Sequence, residues 1–563
     1  MAERPWLKSY PPGVPAEIEV PNKSIPEIFD EASEKYANKT ALIFYGRKIS
    51  YRELRENVDK FATALHDLGV KKGERVALYL PNCPQFVISY FGILKTGATV
   101  TPISPVYVSK EVAYQLKDSE ARTIVCLDTL FENVEKTGLK LDRIIITNIG
   151  EYLPSLKKFI GKSLLGKLFR KAMIPSPKIP KREGIYHFQE LLKKYPPNPP
   201  KVKINPSEDL AALPYSGGTT GIPKGVMVPH RNIVANMTQI RAFWPILEEG
   251  KEVVVAFLPF YHIYGQVVAL IFGLCWGSTL VLFTTFDPDE ILDAIEKYNA
   301  TVFNGVPTVF EFLKDYEKTL RVNWKRLKLI TSGADVLHPS TYQDWEKKTG
   351  ARIIQGYGLT ETSTVTHSNP YHKVKADSFG IPLPSTLAAI AHPEKNQFLK
   401  VGEIGEVVIH GPQVMKGYWK NPEETKKVLV KIKGKTWLRT GDLAKMDEEG
   451  YFYFFERKKD LIKYKGFSIY AREIEDVLYE HPQIKEAAVI GVPHPQFGEI
   501  VKAYVVLHSE ARGKVSEEDI IEYCKKKLAP YKVPKIVEFR GELPKTDVGK
   551  ISHRELREEV RKA

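Results

Sequence analysis

Between Tyr215 and Val226 the chain reads YSGGTTGIPKGV, a run of small and hydroxylated residues closed by Pro223-Lys224-Gly225. Gly217, Gly218 and Gly221 can curl backbone N–H groups around phosphate oxygens, because glycine takes positive φ and tolerates close approach. Ser216, Thr219 and Thr220 add hydroxyl donors, and Lys224 adds a positive charge. The run is not a Walker-type loop, which needs Lys-Ser/Thr opening a helix; Pro223 and Gly225 resist a helix here. Alone, it reads equally well as a turn or as a phosphate cradle.

Four further stretches supply matching chemistry in order along the chain. TSGAD (331–335) and QGYGLTET (355–362) each end a predicted strand in small residues, leaving room for a flat base against Tyr357. RTGDL (439–443) offers Asp442, a carboxylate suited to two vicinal ribose hydroxyls. ERKKDLIKYKGFSIYAREIE (456–475) supplies cations, and LPKTDVGKISHREL (543–556) presents Lys550 on a turn. Each alone is also a capped turn or a solvated charge. Five in this order are not.

The elements that must position these residues follow from hydrophobic periodicity. RVALYL (75–80) and TIVCL (123–127) read as strands around the helical PQFVISYFGILKTG (84–97). The alternation returns in EVVVAFL (252–258), TLVLF (279–283), PDEILDAIEKY (288–298) and LKLITSG (327–333). Apolar strands covered by helices on both sides predict parallel-rich sheets in an α/β fold. From about residue 403 the pattern turns strand-rich, predicting a β-rich subdomain that ends in GYFYFFER (450–457). After the charged ERKKD comes a compact α+β unit, of the ~100 residues that make a separate small domain. The expected domains are 1–456 and 457–563, with a hinge near Lys459.

At 563 residues the chain exceeds one ordinary core. A 43% hydrophobic share with 27% charged residues excludes global disorder. Its four cysteines are dispersed without a CxxC pair, which predicts neither a zinc site nor a disulfide framework and fits a reducing compartment. The N-terminal stretch lacks the apolar core of a secretory signal. The longest apolar run, VVALIFGLCWGSTLVLF (267–283), is broken by glycines and falls short of the ~20 residues of a membrane span. It reads as a buried helix running into a buried strand. A net charge of +14 permits nucleic acid, an acidic membrane or polyanionic small molecules. The chain has no basic–aromatic stacking pattern and no recognition-helix signature, so nucleic acid is not expected. Segment 152–182 lacks acidic residues and alternates Lys157, Lys158, Lys162 and Lys167 with apolar positions. It reads either as peripheral contact with anionic lipid or as an ordinary surface insert.

Together with GPQVMKGYWKNPEET (411–425) and YKVPKIVEFRGELPKTDVGKI (531–551), the five stretches resemble the AMP-forming acyl-CoA synthetases of the adenylate-forming superfamily. The resemblance covers essentially the whole chain, and within the superfamily it is most similar to prokaryotic long-chain fatty acid–CoA ligases. What the resemblance implies is a large domain, a small mobile one, and two half-reactions in one cleft. A carboxylate attacks the α-phosphate of ATP, giving an acyl adenylate and pyrophosphate; coenzyme A then displaces AMP. On matching positions, Lys550 implies the adenylation catalyst, and Thr219 with Glu361 the Mg²⁺ contacts. Gly333, Ala334, Gln355, Gly356, Tyr357 and Thr360 imply the adenine and α-phosphate wall, and Asp442 with Arg457 the ribose clamp. Lys459 implies the pivot, Lys463 a contact with the nucleotide or an aid to the second step, and Lys465 with Gly466 the lining of a pantetheine tunnel. One departure stands out: Arg472 occupies the place of the usual proline before Glu-Ile-Glu, which implies a changed helix start.

In LPFYHIYG (258–265) the family motif implies that His262 sits between acyl pocket and thiol tunnel; a plain core histidine is the other reading. The stretch carries no aspartate for a substrate ammonium, which disfavours amino acids. Gly358 stands where acetate-specific relatives carry tryptophan, implying an unblocked wall and a medium- or long-chain acid. Aryl or 4-coumarate acids, and transfer to a carrier protein in place of coenzyme A, are the alternatives within the superfamily. A cytoplasmic protein, with or without peripheral contact on the inner face of the membrane, and a monomer or homodimer are expected.

Overall fold

The computed structural model describes residues 4–154, 177–216, 223–464, 467–546 and 551–562. Four sheets organise them. The first runs Ile381–Pro382, Thr364–Ser368, Ile354–Leu359, Leu329–Ser332, Val302–Gly305, Val253–Ala256, Thr279–Leu282, Thr40–Phe44, Arg47–Ser50. Its interior, from Ile354–Leu359 to Thr40–Phe44, is parallel, and only its edges are antiparallel. The second sheet has a parallel centre of Thr99–Pro102, Arg75–Tyr79, Thr123–Leu127 and Arg143–Thr147. These strands read as near-continuous apolar runs because both faces are covered. The helix Pro84–Lys95 is buried at every position, as its unbroken apolar sequence requires. The helix Pro288–Lys297 starts where Asp287 accepts the Glu290 N–H at 3.0 Å, an N-cap that its sequence advertises.

The third sheet is antiparallel and built around the long strand Lys435–Met446, which pairs with Gly405–His410, Leu429–Ile432 and Phe452–Arg457. The fourth gathers Ile462–Tyr464, Phe467–Ile469, Ile484–His494, Gly498–Leu507 and Ile536–Phe539. The apolar cores follow the same division. One large cluster runs from Trp6 to Phe452, and separate clusters begin at Ile462.

The long apolar run takes an unexpected form. Gly265–Ile271 winds as a π-helix into the short helix Phe272–Cys275, before the strand Thr279–Leu282. Its first residue must be glycine, since a Cβ there would lie 2.4 Å from the Pro259 carbonyl oxygen. π-Turns of this kind widen a helix and concentrate at functional sites.

Candidate active site

A cleft of about 1430 Å³ opens at the C-terminal ends of the parallel strands in the first sheet, the usual place for ligands in open α/β sheets. Ser216, Lys224, His262, Gly333, Ala334, Gln355, Gly356, Tyr357, Gly358, Thr360, Glu361, Asp442, Arg457 and Lys459 all line it. Lys463 does not: it lies exposed on Ile462–Tyr464, its backbone N–H donating to Glu499 Oε2 at 2.7 Å. Gly217, Gly218, Thr219, Thr220, Gly221, Lys465, Gly466 and Lys550 fall outside the described residues, as does most of segment 152–182. On either side of 547–550, however, Lys545, Thr546, Ile551 and Ser552 line the cleft, and Lys545 bridges to Ile551.

Tyr215–Ser216 and Lys224–Pro229 form an antiparallel hairpin, with Ser216 opposite Lys224 and Tyr215 opposite Gly225. Its root is pinned to the helix Ser109–Ser119: the Tyr215 hydroxyl donates to Asp118 at 2.6 Å, and the Tyr114 hydroxyl donates to the Pro223 carbonyl at 2.7 Å. Lys224 therefore opens a strand rather than sitting within a loop. Its ammonium is ion-paired with Glu424, and both side chains are largely buried. Glu361 stands opposite. Its Oε1 accepts from the Ser216 hydroxyl at 3.1 Å and from the Tyr418 hydroxyl at 2.9 Å. Burial, and then the Glu361 charge, push the Tyr418 phenol far up, so it remains a donor.

Asp442 and Arg457 face each other because Lys435–Met446 pairs with Phe452–Arg457 in that register. The Asp442 carboxylate is only 4% exposed. It accepts from the Tyr357 hydroxyl at 2.7 Å and lies 3.5 Å from the Arg457 guanidinium. Burial and the Asp442 charge drive the Tyr357 phenol well above its ordinary range. The result is an anionic acceptor held between a phenol and a cation. Gln355 lies in the same wall, but its amide is committed: Nε2 donates to the Ala376 carbonyl, and Oε1 accepts the Leu337 N–H at 3.3 Å. Gln355 shapes the wall through its backbone fold rather than by offering its amide.

Two stretches of backbone are strained where the wall is built. Ala334 sits at φ +72°, a left-handed conformation that costs a non-glycine residue about 1 kcal/mol or more. Ser363 and Thr364 follow at φ +54° and +114°, turning the chain back immediately after Glu361. Gly358 lines the cleft, yet a Cβ on it would lie 1.6 Å from the Thr364 carbonyl oxygen. The return strand excludes any side chain at 358 with the backbone as it stands, so glycine here does not report on the acyl pocket.

The cleft's far rim is a cluster of charges whose pairing across distant segments no local pattern reveals. Glu456 accepts from the Arg457 N–H at 2.8 Å and the Arg472 N–H at 3.1 Å. Burial, with Glu475 nearby, pushes its carboxyl up to about 7. His553 Nε2 contacts Glu475 Oε1 at 2.6 Å. Burial alone would lower the imidazole, but the Glu475 carboxylate outweighs it and raises it to about 9, while the Glu475 carboxyl is held low. Arg557 pairs with Asp460. His338 completes the set: its ring packs 3.8 Å from Tyr479 and meets Asp476 at 3.1 Å and Arg472 at 3.2 Å. The helix Ala471–Tyr479 starts one residue before Arg472, whose N–H makes a bond to Glu456 that proline could not make. Tyr418 and Glu424 were also unforeseen; both lie in GPQVMKGYWKNPEET, but their partners are 57 and 200 residues away in sequence.

Among the described residues no three His, Cys, Asp or Glu side chains gather to hold a metal ion. Glu361 is nonetheless a fitting contact for a hard cation: both hydrogen bonds to it from described residues end on Oε1. No described helix is long and apolar enough to cross a membrane.

Comparison with known proteins agrees with this geometry. Residues 29–419 match the family described as AMP-binding enzyme, and 473–550 match the AMP-binding enzyme C-terminal domain. The chain is 42% identical to a long-chain-fatty-acid–CoA ligase of Bacillus subtilis, covering 99% of this chain and 98% of the other. Among solved structures, ATP-bound MatB from Rhodopseudomonas palustris superposes with a TM-score of 0.81 at 29% identity, over 95% of this chain and 99% of that one. A long-chain-fatty-acid-CoA ligase from Archaeoglobus fulgidus gives a TM-score of 0.68 at 29% identity, over 94% and 99%.

Proposed function

The chain belongs to the AMP-binding enzymes, as an adenylate-forming acyl-CoA synthetase, and from that premise we propose that it activates medium- and long-chain fatty acids with ATP and coenzyme A. The observation that carries the reading is that one cleft gathers the Tyr357–Asp442–Arg457 clamp, Glu361 and both flanks of residues 547–550. A fatty carboxylate is ionised near neutral pH, so its attack on the α-phosphorus needs no general base. The oxygen–phosphorus bond to the β-phosphate breaks and pyrophosphate leaves. In the second half-reaction the coenzyme A thiol gives up its proton, sulfur bonds to the acyl carbon, and AMP departs.

The barrier to the first step is electrostatic, since two anions must meet. Asp442 accepts both ribose hydroxyls and fixes the nucleotide. The hairpin, with Ser216, Thr219 and Thr220, holds the phosphates, and Gly333, Ala334, Gln355, Gly356, Tyr357 and Thr360 form the wall for the base and the α-phosphate. Lys550 bridges the incoming carboxylate and the α-phosphate. Thr219 and Glu361 would hold Mg²⁺, which neutralises phosphate charge when bound. Residues 1–456 form the catalytic floor, and 457–563 turn about Lys459 between the half-reactions. The turn withdraws Lys550 and brings Lys463, Lys465 and Gly466 to the thiol path beside His262. Such an activity, drawing on ATP and coenzyme A, fits fatty acid metabolism and a cytoplasmic setting.

Pyrophosphate release across an acid series tests the reading. Each further buried methylene contributes about 0.8 kcal/mol, so kcat/KM rises with chain length until the tunnel ends. AMP accumulates with the thioester. A maximum at acetate or at cinnamate-type acids, or ADP in place of AMP, overturns it.

A further inference from the structure

Behind the cleft lies a second cavity of about 20 Å³, room for one water or one hydroxyl. Trp244 and Val268 belong to the walls of both cavities. The same strand, Leu329–Ser332, meets the cleft at Thr331 and Ser332 and the inner cavity at Leu329. Leu329 lies two and three residues before these, roughly 7–10 Å along the strand, so the inner cavity lies about that far beneath the cleft, toward the N-terminal ends of the strands. Most of its wall is aliphatic or aromatic, as methylenes require.

Its polar residues are anomalous. Trp244 Nε1, Trp276 Nε1, Asn304 Nδ2 and Glu252 Oε2 are all buried without a hydrogen-bond partner among the described residues. Trp244, Asn304 and Glu252 are 3%, 1% and 2% exposed. An unmade hydrogen bond of this kind costs about 1–3 kcal/mol, and native interiors rarely leave several in one place. The other oxygen of Glu252 is already committed, to the Glu248 N–H at 2.7 Å and the Lys328 ammonium at 2.9 Å. Asn304 Oδ1 accepts from the Thr331 hydroxyl at 2.8 Å, which meets the Tyr264 hydroxyl at 2.9 Å in the cleft wall.

We infer that the inner cavity is the distal end of the acyl site and that it receives a chain end bearing a hydroxyl group. This rests on the fatty-acid reading above. A hydroxyl suits the four atoms because it both gives and accepts: its proton goes to Glu252 Oε2, and its oxygen accepts from the tryptophan or asparagine N–H groups. A terminal methyl leaves all four unmade. A terminal carboxylate has no proton to give and sets a second anion against Glu252.

The test compares terminal-methyl acids from octanoate to octadecanoate with their ω-hydroxy and ω-carboxy partners, reading kcat/KM from pyrophosphate release. Short acids show no preference. At lengths that reach the cavity, ω-hydroxy acids exceed methyl acids about five-fold, the effect of one added hydrogen bond, and ω-carboxy acids fall below both. Trp276→Phe keeps the ring and removes one donor; it lowers the hydroxy-to-methyl ratio while sparing octanoate. Glu252→Gln keeps the shape and replaces the acceptor with a donor, so it lowers that ratio and raises the use of ω-carboxy acids. Equal use of hydroxy and methyl acids at every length overturns the inference, as does a preference that survives both substitutions. Pyrophosphate release with no fatty acid of any kind overturns the parent reading, and this one with it.

Discussion

Asp442 shows how a single side chain is prepared for its task by two others. Its carboxylate is almost wholly enclosed, with the Tyr357 hydroxyl donating to it and the Arg457 guanidinium alongside. A buried acceptor so arranged is strong toward hydroxyl donors, because charge-assisted hydrogen bonds contribute about 1.5–3 kcal/mol each. Asp442→Asn keeps the size and an acceptor for Tyr357 but discards the charge. The expected result is a fall of about 10- to 100-fold in kcat/KM for ATP, with the acid dependence unchanged. Tyr357→Phe should cost less, since Arg457 remains beside the carboxylate. Steady-state kinetics with ATP varied at saturating acid would show both. Equal tolerance of the two substitutions would remove Asp442 from the clamp.

At the scale of elements, the parallel strands, the small-residue wall of the cleft and the charged connector are legible because each is a local signal: an apolar run, a small-residue strand end, a cluster of like charges. What was not legible depends on partners that periodicity cannot reach. Lys224 read as a loop cation until Glu424 appeared beside it, and Gly358 read as an open wall until the return strand appeared against it. The turn from Ile354–Leu359 into Thr364–Ser368 imposes that contact, and only the folded chain reveals it. The last helix, His553–Lys562, is a further case. Its first residue contacts Glu475 on the helix Ala471–Tyr479, with Glu456 and Asp460 as further anions and Arg472 and Arg557 as nearby cations. His553 titrates at about 9 when folded, above its ordinary 6.5. A raised folded value means that the contact stabilises fully below about 6.5 and loses that contribution as pH rises through about 9. Glu456, raised from 4.5 to about 7, loses its contribution earlier, as pH rises from about 4.5 through 7, so the decline above neutrality belongs to His553. Thermal unfolding followed from pH 7 to 10 should therefore show a falling Tm in the native chain. In His553→Gln the decline near 9 should be absent. An identical profile in both would show that the pair does not hold the helix.

For the molecule as a whole, the question is what holds the small lobe against the large one. Its cores are separate from the main core, so the orientation rests on surface contacts rather than on shared burial. His338 supplies one group of these. It precedes the helix Pro339–Thr349 in the large lobe, stacks on Tyr479, and meets both Arg472 and Asp476 across the boundary. Under the proposed rotation those partners would move together with the small lobe, so the contact would belong to this arrangement, the one in which Lys545 and Ile551 line the cleft. A contact made in one state alone shifts the balance between states by its own free energy. Removing it should disfavour adenylation and favour the rotated arrangement proposed for thioester formation. For His338→Ala the expected outcome is a several-fold drop in pyrophosphate release and an equal or faster transfer from supplied acyl adenylate to coenzyme A. Lys550→Ala provides the contrast, because it removes a charge and not a latch. Its adenylation should fall about 10²- to 10³-fold, the cost of one electrostatic donor, with transfer from acyl adenylate nearly unchanged. If His338→Ala slowed both half-reactions alike, the histidine would be a packing residue, and lobe orientation would have to be set elsewhere along the rim.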